Sequence, residues 1–144
     1  MAQGANEATP RTITEFRKNY LREIIKRSNG NRLVTDKLPQ NFKYIALICS
    51  AFPEAKIVHV RRDAAATCWS NYKHYFPENG LGYCYDLDDV TAYFLLYSEL
   101  MKFFQTLYGD RIYNLNYEKL TTDQNVESRA LIQYLGLKWE NACL

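Results

Sequence analysis

Between Pro53 and Asp63 the chain reads PEAKIVHVRRD, an apolar run bounded by a proline on one side and charges on the other. A short run of this kind, without strict polar alternation, fits a strand buried on both faces, and such strands belong to parallel sheets covered by helices. RLVTDK and RIYNLNY read the same way, and helical patterns separate the three runs. The expected fold is α/β: a three-layer arrangement in which a parallel sheet is flanked by helices. Sheets of this type bind ligands at the carboxyl ends of their strands.

The helical patterns have recognisable limits. TITEFRKNYLREIIKRSNG carries apolar residues at helical spacing, with Thr12 as a cap and Asn29-Gly30 as a stop. Pro39 stands near the start of a second pattern, QNFKYIALICSAF. AAATCWSNYKHYF is rich in alanine, the best helix former, and Asp63 precedes it as a cap. After the loop PENGLGYCYDLD comes DVTAYFLLYSELMKFFQTLYG, apolar around most of its circumference and therefore expected to be buried on more than one side. NVESRALIQYLG closes the series, with Gly136 as its stop.

At 144 residues the chain suits one domain, divided here into a polar lead-in at 1–12 and a domain at 13–144. A net charge of +2, with Lys and Arg scattered among acids, argues against a nucleic-acid partner, which would need a clustered basic stripe. No apolar run approaches a membrane span, and MAQGANEATPRT lacks the apolar centre of a signal peptide. Cys49, Cys68, Cys84 and Cys143 form no C-x-x-C pair, and His59 and His74 complete no metal-ligand spacing. Cys49 and Cys68 lie in apolar helical patterns and read as small core side chains, so a reducing cytoplasm is the simplest setting.

Three polar residues fall at the expected strand ends: Lys37, Arg62 and Tyr117. A guanidinium matches phosphate oxygens two at a time, so Arg62, at the mouth of a helix, is a candidate anion ligand. Ser70, eight residues on, could project from that helix towards the same anion. The plainer reading makes both arginines solvated and Ser70 an ordinary surface hydroxyl. Lys37 is either a point charge set against a transferring group or a surface lysine lying along apolar neighbours. Tyr117 either offers its hydroxyl to a base edge or is a tyrosine at the core margin. His59, on a buried strand, reads as a satisfied core residue rather than a general base. Neither a Walker-type loop nor a dinucleotide loop is present, which weakens a kinase-like alternative.

FPEAKIVHVRRDAAATCWSNYKHYF resembles the 3′-phosphate motif of the sulfotransferases that use 3′-phosphoadenosine 5′-phosphosulfate (PAPS): a strand ending in Arg-Asp, with a Ser eight residues after the Arg. LNYEKLTTDQNVESRALIQYLGLKW resembles the family's Tyr-Glu-Asp-Leu block, and VTDKLPQNFKYIALICSAFP a segment upstream in bacterial and tyrosylprotein-type members. The resemblance implies a P-loop-like sulfotransferase fold and in-line sulfuryl transfer to a hydroxyl or amine. It implies that Arg62 and Ser70 bind the ribose 3′-phosphate, that Tyr117 reaches the adenine edge, and that Lys37 neutralises the transferring group. Ala64 and Ala66 stand where the family usually has a proline and an acid.

Residues 1–32 offer no counterpart to the family's 5′-phosphosulfate loop, no His or Glu matches the usual general base, and the late Gly-rich segment would follow Leu144. The resemblance therefore implies a partial domain, expected to bind the spent donor, 3′-phosphoadenosine 5′-phosphate (PAP), weakly and to turn over little or nothing. HYFPENGLGYCYD is the expected acceptor loop. The alternative is a non-catalytic remnant that self-associates through an uncovered sheet edge.

Overall fold

The computed structural model describes residues 8–77 and 80–144; the first seven residues of the lead-in, and Glu78 and Asn79 of the expected acceptor loop, lie outside the described residues. The chain divides into two compact units, Met1–Ala55 and Lys56–Leu144.

In the first unit, α1 spans Pro10–Arg27. Its cap is Thr9 rather than Thr12, though Thr12 takes part reciprocally. The Thr12 N–H donates to Thr9 Oγ1 at 3.2 Å and the Thr9 N–H to Thr12 Oγ1 at 2.9 Å. Pro10 suits the first helical position because its missing N–H would have no intrahelical acceptor there. The turn after the helix uses Asn29 and Gly30 at φ 51° and 80°. The second helical pattern begins as a 3-10 turn, Pro39–Tyr44, before α2, Ile45–Ala51. Ile45, Cys49, Ala51 and Phe52 are buried. Arg17 binds this region to α1: it donates to the Ala51 carbonyl at 2.7 Å and to both carboxylate oxygens of Glu54, with its guanidinium over the Phe52 ring.

The strand expected at RLVTDK does not form. Residues 33–38 have no strand assignment, and Leu33 and Val34 are 64% and 44% exposed. A strand without a neighbour leaves its N–H and C=O groups to water, and apolar content alone does not stabilise it. Lys37 therefore stands in unpaired, exposed chain ahead of Pro39, not at a strand end.

The second unit contains β1 (Ile57–Arg61), α3 (Ala64–Tyr72), α4 (Leu87–Tyr108), β2 (Ile112–Asn116), α5 (Tyr117–Thr122) and α6 (Gln124–Leu135). Among the described residues the sheet has two strands, paired in parallel with Ile57 opposite Ile112 and Arg61 opposite Asn116. The described residues are mostly helical, and a third strand is not found among them.

Alternation along the strands sends His59 and Asn114 to one face and Tyr113 to the other. α4 meets the first face through Tyr97 and Gln105, and α6 meets the second through Tyr134, whose ring stacks on Tyr113 at 4.9 Å. The Tyr134 hydroxyl also donates to the Arg111 carbonyl at 2.6 Å. α6 ends at Gly136, where φ is 70°, and the Lys56 ammonium donates to the Tyr134 carbonyl in its last turn. A cation placed there also complements the negative end of the helix.

α4 is capped by Asp86, which accepts from the N–H groups of Asp88 and Asp89. Val90, Met101 and Phe104 are buried, but Leu95, Leu96, Phe103 and Leu107 are exposed, so this helix buries one side and not most of its circumference. Cys49 and Cys84 are buried, Cys68 is half-buried, Cys143 is exposed, and none of the four is in a disulfide. Among the described residues no helix is long and apolar enough to cross a membrane, and no cluster of His, Cys, Asp or Glu has metal-binding geometry.

Candidate functional site

The candidate site lies where β1 and β2, side by side, both turn into helices. After Arg61 the chain leaves the sheet through Arg62 and Asp63 and enters α3. Asp63 caps that helix as its position suggests, accepting the Ala66 N–H at 2.8 Å on its side chain, while its carbonyl takes the Thr67 N–H at 2.9 Å. The first two N–H groups of α3, those of Ala64 and Ala65, keep no acceptor among the described residues, as expected for a helix start.

The parallel turn after β2 is built from Asn116, Tyr117 and Glu118. Asn116 accepts the Lys119 N–H at 2.8 Å and so starts α5 immediately, with Tyr117 as its first residue. Two contacts join the turns. The Arg62 guanidinium lies over the Tyr117 ring at 5.1 Å from its centroid, and the Asp63 N–H donates to Glu118 Oε1 at 3.0 Å. Arg62 and Tyr117, chosen separately from the sequence, are thus brought together. Arg62 forms no ion pair and no hydrogen bond among the described residues. A cation over an aromatic ring at an exposed position gains about 0.5–1 kcal/mol, and a guanidinium has more N–H donors than one ring can engage.

Ser70 lies further along α3, six residues after Ala64 and so about 9 Å along the axis. It is half-buried; its carbonyl accepts a hydrogen bond from His74 Nδ1 at 2.7 Å, and its hydroxyl has no partner among the described residues. No hydrogen bond joins Ser70 to Arg62. Lys37 is exposed and belongs to the first compact unit, whereas Arg62, Ser70 and Tyr117 belong to the second.

Sequence reasoning does not place Glu118 in the site. Its partner is a backbone N–H, a relationship that only the side-by-side placement of the two strand ends creates.

His59 is satisfied, as its place in the strand suggests. Its Nδ1 lies 2.8 Å from Asn114 Oδ1, and Asn114 Nδ2 donates to Gln105 Oε1 at 2.9 Å. With the amide oriented in this way, Nδ1 carries the proton, and Nε2 accepts from the Tyr97 hydroxyl. Burial, more than the nearby charge of Arg61, holds the imidazole below its ordinary pKa, although the bond to Asn114 acts the other way. Burial also raises the Tyr97 hydroxyl. A ring occupied at both nitrogens is held in place rather than poised as a base.

A family model described as "Sulfotransferase family" matches residues 1–141. A protein of Aquifex aeolicus (strain VF5) that carries the name "Uncharacterized protein" is 29% identical over 140 residues, covering 96% of this chain and 18% of that protein. The chain therefore spans less than a fifth of the length of that relative. No solved structure matches.

Proposed function

Because the chain belongs to the sulfotransferase family, we propose that its second compact unit carries the 3′-phosphoadenosine half of a PAPS site. In this reading Arg62 and Ser70 hold the ribose 3′-phosphate, and Tyr117 borders the nucleotide. The observation that carries the reading is the state of Arg62: a guanidinium over the Tyr117 ring, on the turn between a strand end and a helix start, with no carboxylate paired to it among the described residues. A dianionic phosphate ester suits that arrangement in charge and in hydrogen-bonding capacity. The Ser70 hydroxyl, without a partner among the described residues, supports it.

The bound donor would supply an activated sulfuryl group for transfer to a hydroxyl or amine acceptor, and the protein's share of such chemistry is positioning and charge stabilisation. On the family resemblance alone, Lys37 is assigned the charge that neutralises the transferring group. Lys37→Ala should weaken PAPS binding more than PAP binding, since only PAPS carries the sulfuryl group.

Isothermal titration of PAP against AMP tests the reading, because AMP lacks the 3′-phosphate. A clear preference for PAP that diminishes with Ser70→Ala is expected; equal affinity for the two nucleotides rejects it.

A second reading, a module that acts by self-association, draws on the exposed Leu96, Phe103 and Leu107 of α4 and on the two outer edges of the β1–β2 sheet, unpaired among the described residues. Sedimentation velocity separates this reading: a concentration-dependent increase in mass supports it, and a monomer at high concentration removes it.

A further inference from the structure

Arg62 has a long, flexible side chain at an exposed turn, and such a side chain loses rotamer freedom when it binds an anion. Two contacts restrict this turn before any ligand arrives. The guanidinium rests on the Tyr117 ring, and the next residue's N–H is held by Glu118, the next residue after Tyr117. Each contact links the β1–α3 turn to the β2–α5 turn, which parallel pairing has already set side by side, Arg61 opposite Asn116.

We propose that the Tyr117 ring is a positioning residue for the 3′-phosphate: it serves as a shelf that orients the Arg62 fork, with Glu118 fixing the height of the turn from which that fork extends. A guanidinium carries several N–H donors, more than one ring face can engage, so donors remain for phosphate oxygens while the charge rests over the ring. A fork held in this way meets two phosphate oxygens with less ordering left to do. The shelf is the ring and not its hydroxyl. The hydroxyl, unbonded among the described residues, remains free for other contacts. Glu118 is spent on the Asp63 N–H and so does not approach the guanidinium as a competing ion-pair partner.

This inference rests on the nucleotide reading above, and its test keeps the two apart. Wild type, Tyr117→Phe and Tyr117→Leu are titrated with PAP and with AMP, and the ratio of the two affinities is compared. A hydroxyl contact to the base would change both nucleotides alike and leave the ratio unaltered. Loss of the shelf lowers the ratio. Tyr117→Phe should keep the wild-type ratio, and Tyr117→Leu should reduce it about two- to fivefold, the value of an exposed cation–ring contact.

The geometry has its own readout without ligand. The Nε–H resonance of Arg62, assigned by its absence in Arg62→Lys, should be shifted by the ring current in wild type and Tyr117→Phe and released in Tyr117→Leu. An unchanged ratio in Tyr117→Leu, or an Nε–H resonance at the same position in all three proteins, overturns the shelf while PAP preference in wild type leaves the nucleotide reading standing. No PAP preference in wild type removes both.

Discussion

The backbone N–H of Asp63 donates to Glu118 Oε1 at 3.0 Å, so the residue that caps α3 is tied to the first turn of α5. These residues are 55 positions apart in the chain and meet because their strands run in parallel with Arg61 opposite Asn116. The tie uses a charged acceptor, and hydrogen bonds to charged groups are worth more than neutral ones.

Glu118→Ala should therefore lower the free energy of unfolding by about 1 kcal/mol, the net value of one such bond at an accessible site. It should also reduce the preference for PAP over AMP, because the turn carrying Arg62 loses one of its two ties. Urea denaturation combined with the nucleotide titration checks both effects. A variant with wild-type stability and wild-type preference would show the bond to be incidental.

His59 gives the fold a pH dependence of definite sign. Its pKa in the folded chain is held down, first by burial and also by Arg61, while in the unfolded chain it returns to about 6.5. Below that value the unfolded chain binds the proton that the folded chain resists. Stability is thus fully present above about pH 6.5 and declines as the solution is acidified towards the lower folded value. Unfolding midpoints measured between pH 8 and pH 5 should show this decline in wild type and a flatter profile in His59→Gln. Identical profiles would assign the decline to other groups.

Gly136 occupies the left-handed region, φ 70°, at the end of α6. A Cβ there would meet nothing closer than the Lys56 ammonium at 3.6 Å, an ordinary contact, so the cost of a side chain is conformational rather than steric crowding. Gly136→Ala should destabilise by about 1–2 kcal/mol, and Gly136→Asn by less, since asparagine tolerates this conformation better. Thermal melts of the two variants order them; equal losses would contradict the conformational explanation.

What could be read in the sequence was what local pattern controls. The run at 57–61 became β1, the alanine-rich stretch became α3 with Asp63 as its cap, and Gly136 stopped α6. RLVTDK had the composition of a strand but no partner among the described residues, and pairing is a property of neighbours, not of the run itself. The seven-residue length of α2 was hidden because a 3-10 turn and an α-helix share nearly the same apolar spacing over one turn. In α4 the apolar pattern extended to residues that stay exposed, since periodicity gives the shape of an apolar surface and not what lies against it.

The candidate site divided in the same way. Arg62 and Tyr117 were found from their strand ends, and the contact between them follows from strands that are adjacent and parallel. Glu118 was missed in its true role because its partner is a backbone group on a distant turn, which carries no residue-type signal.

The central claim concerns one guanidinium and one phosphate. Calorimetric titration of wild type and Arg62→Ala with PAP and AMP isolates that pair, because only the 3′-phosphate differs between the nucleotides. Wild type should bind PAP roughly ten- to a hundredfold more tightly than AMP, the range for a charge-assisted contact of about 1.5–3 kcal/mol, and Arg62→Ala should bring the two affinities close together. Equal affinities in wild type, or a preference for PAP that survives in Arg62→Ala, would contradict the account.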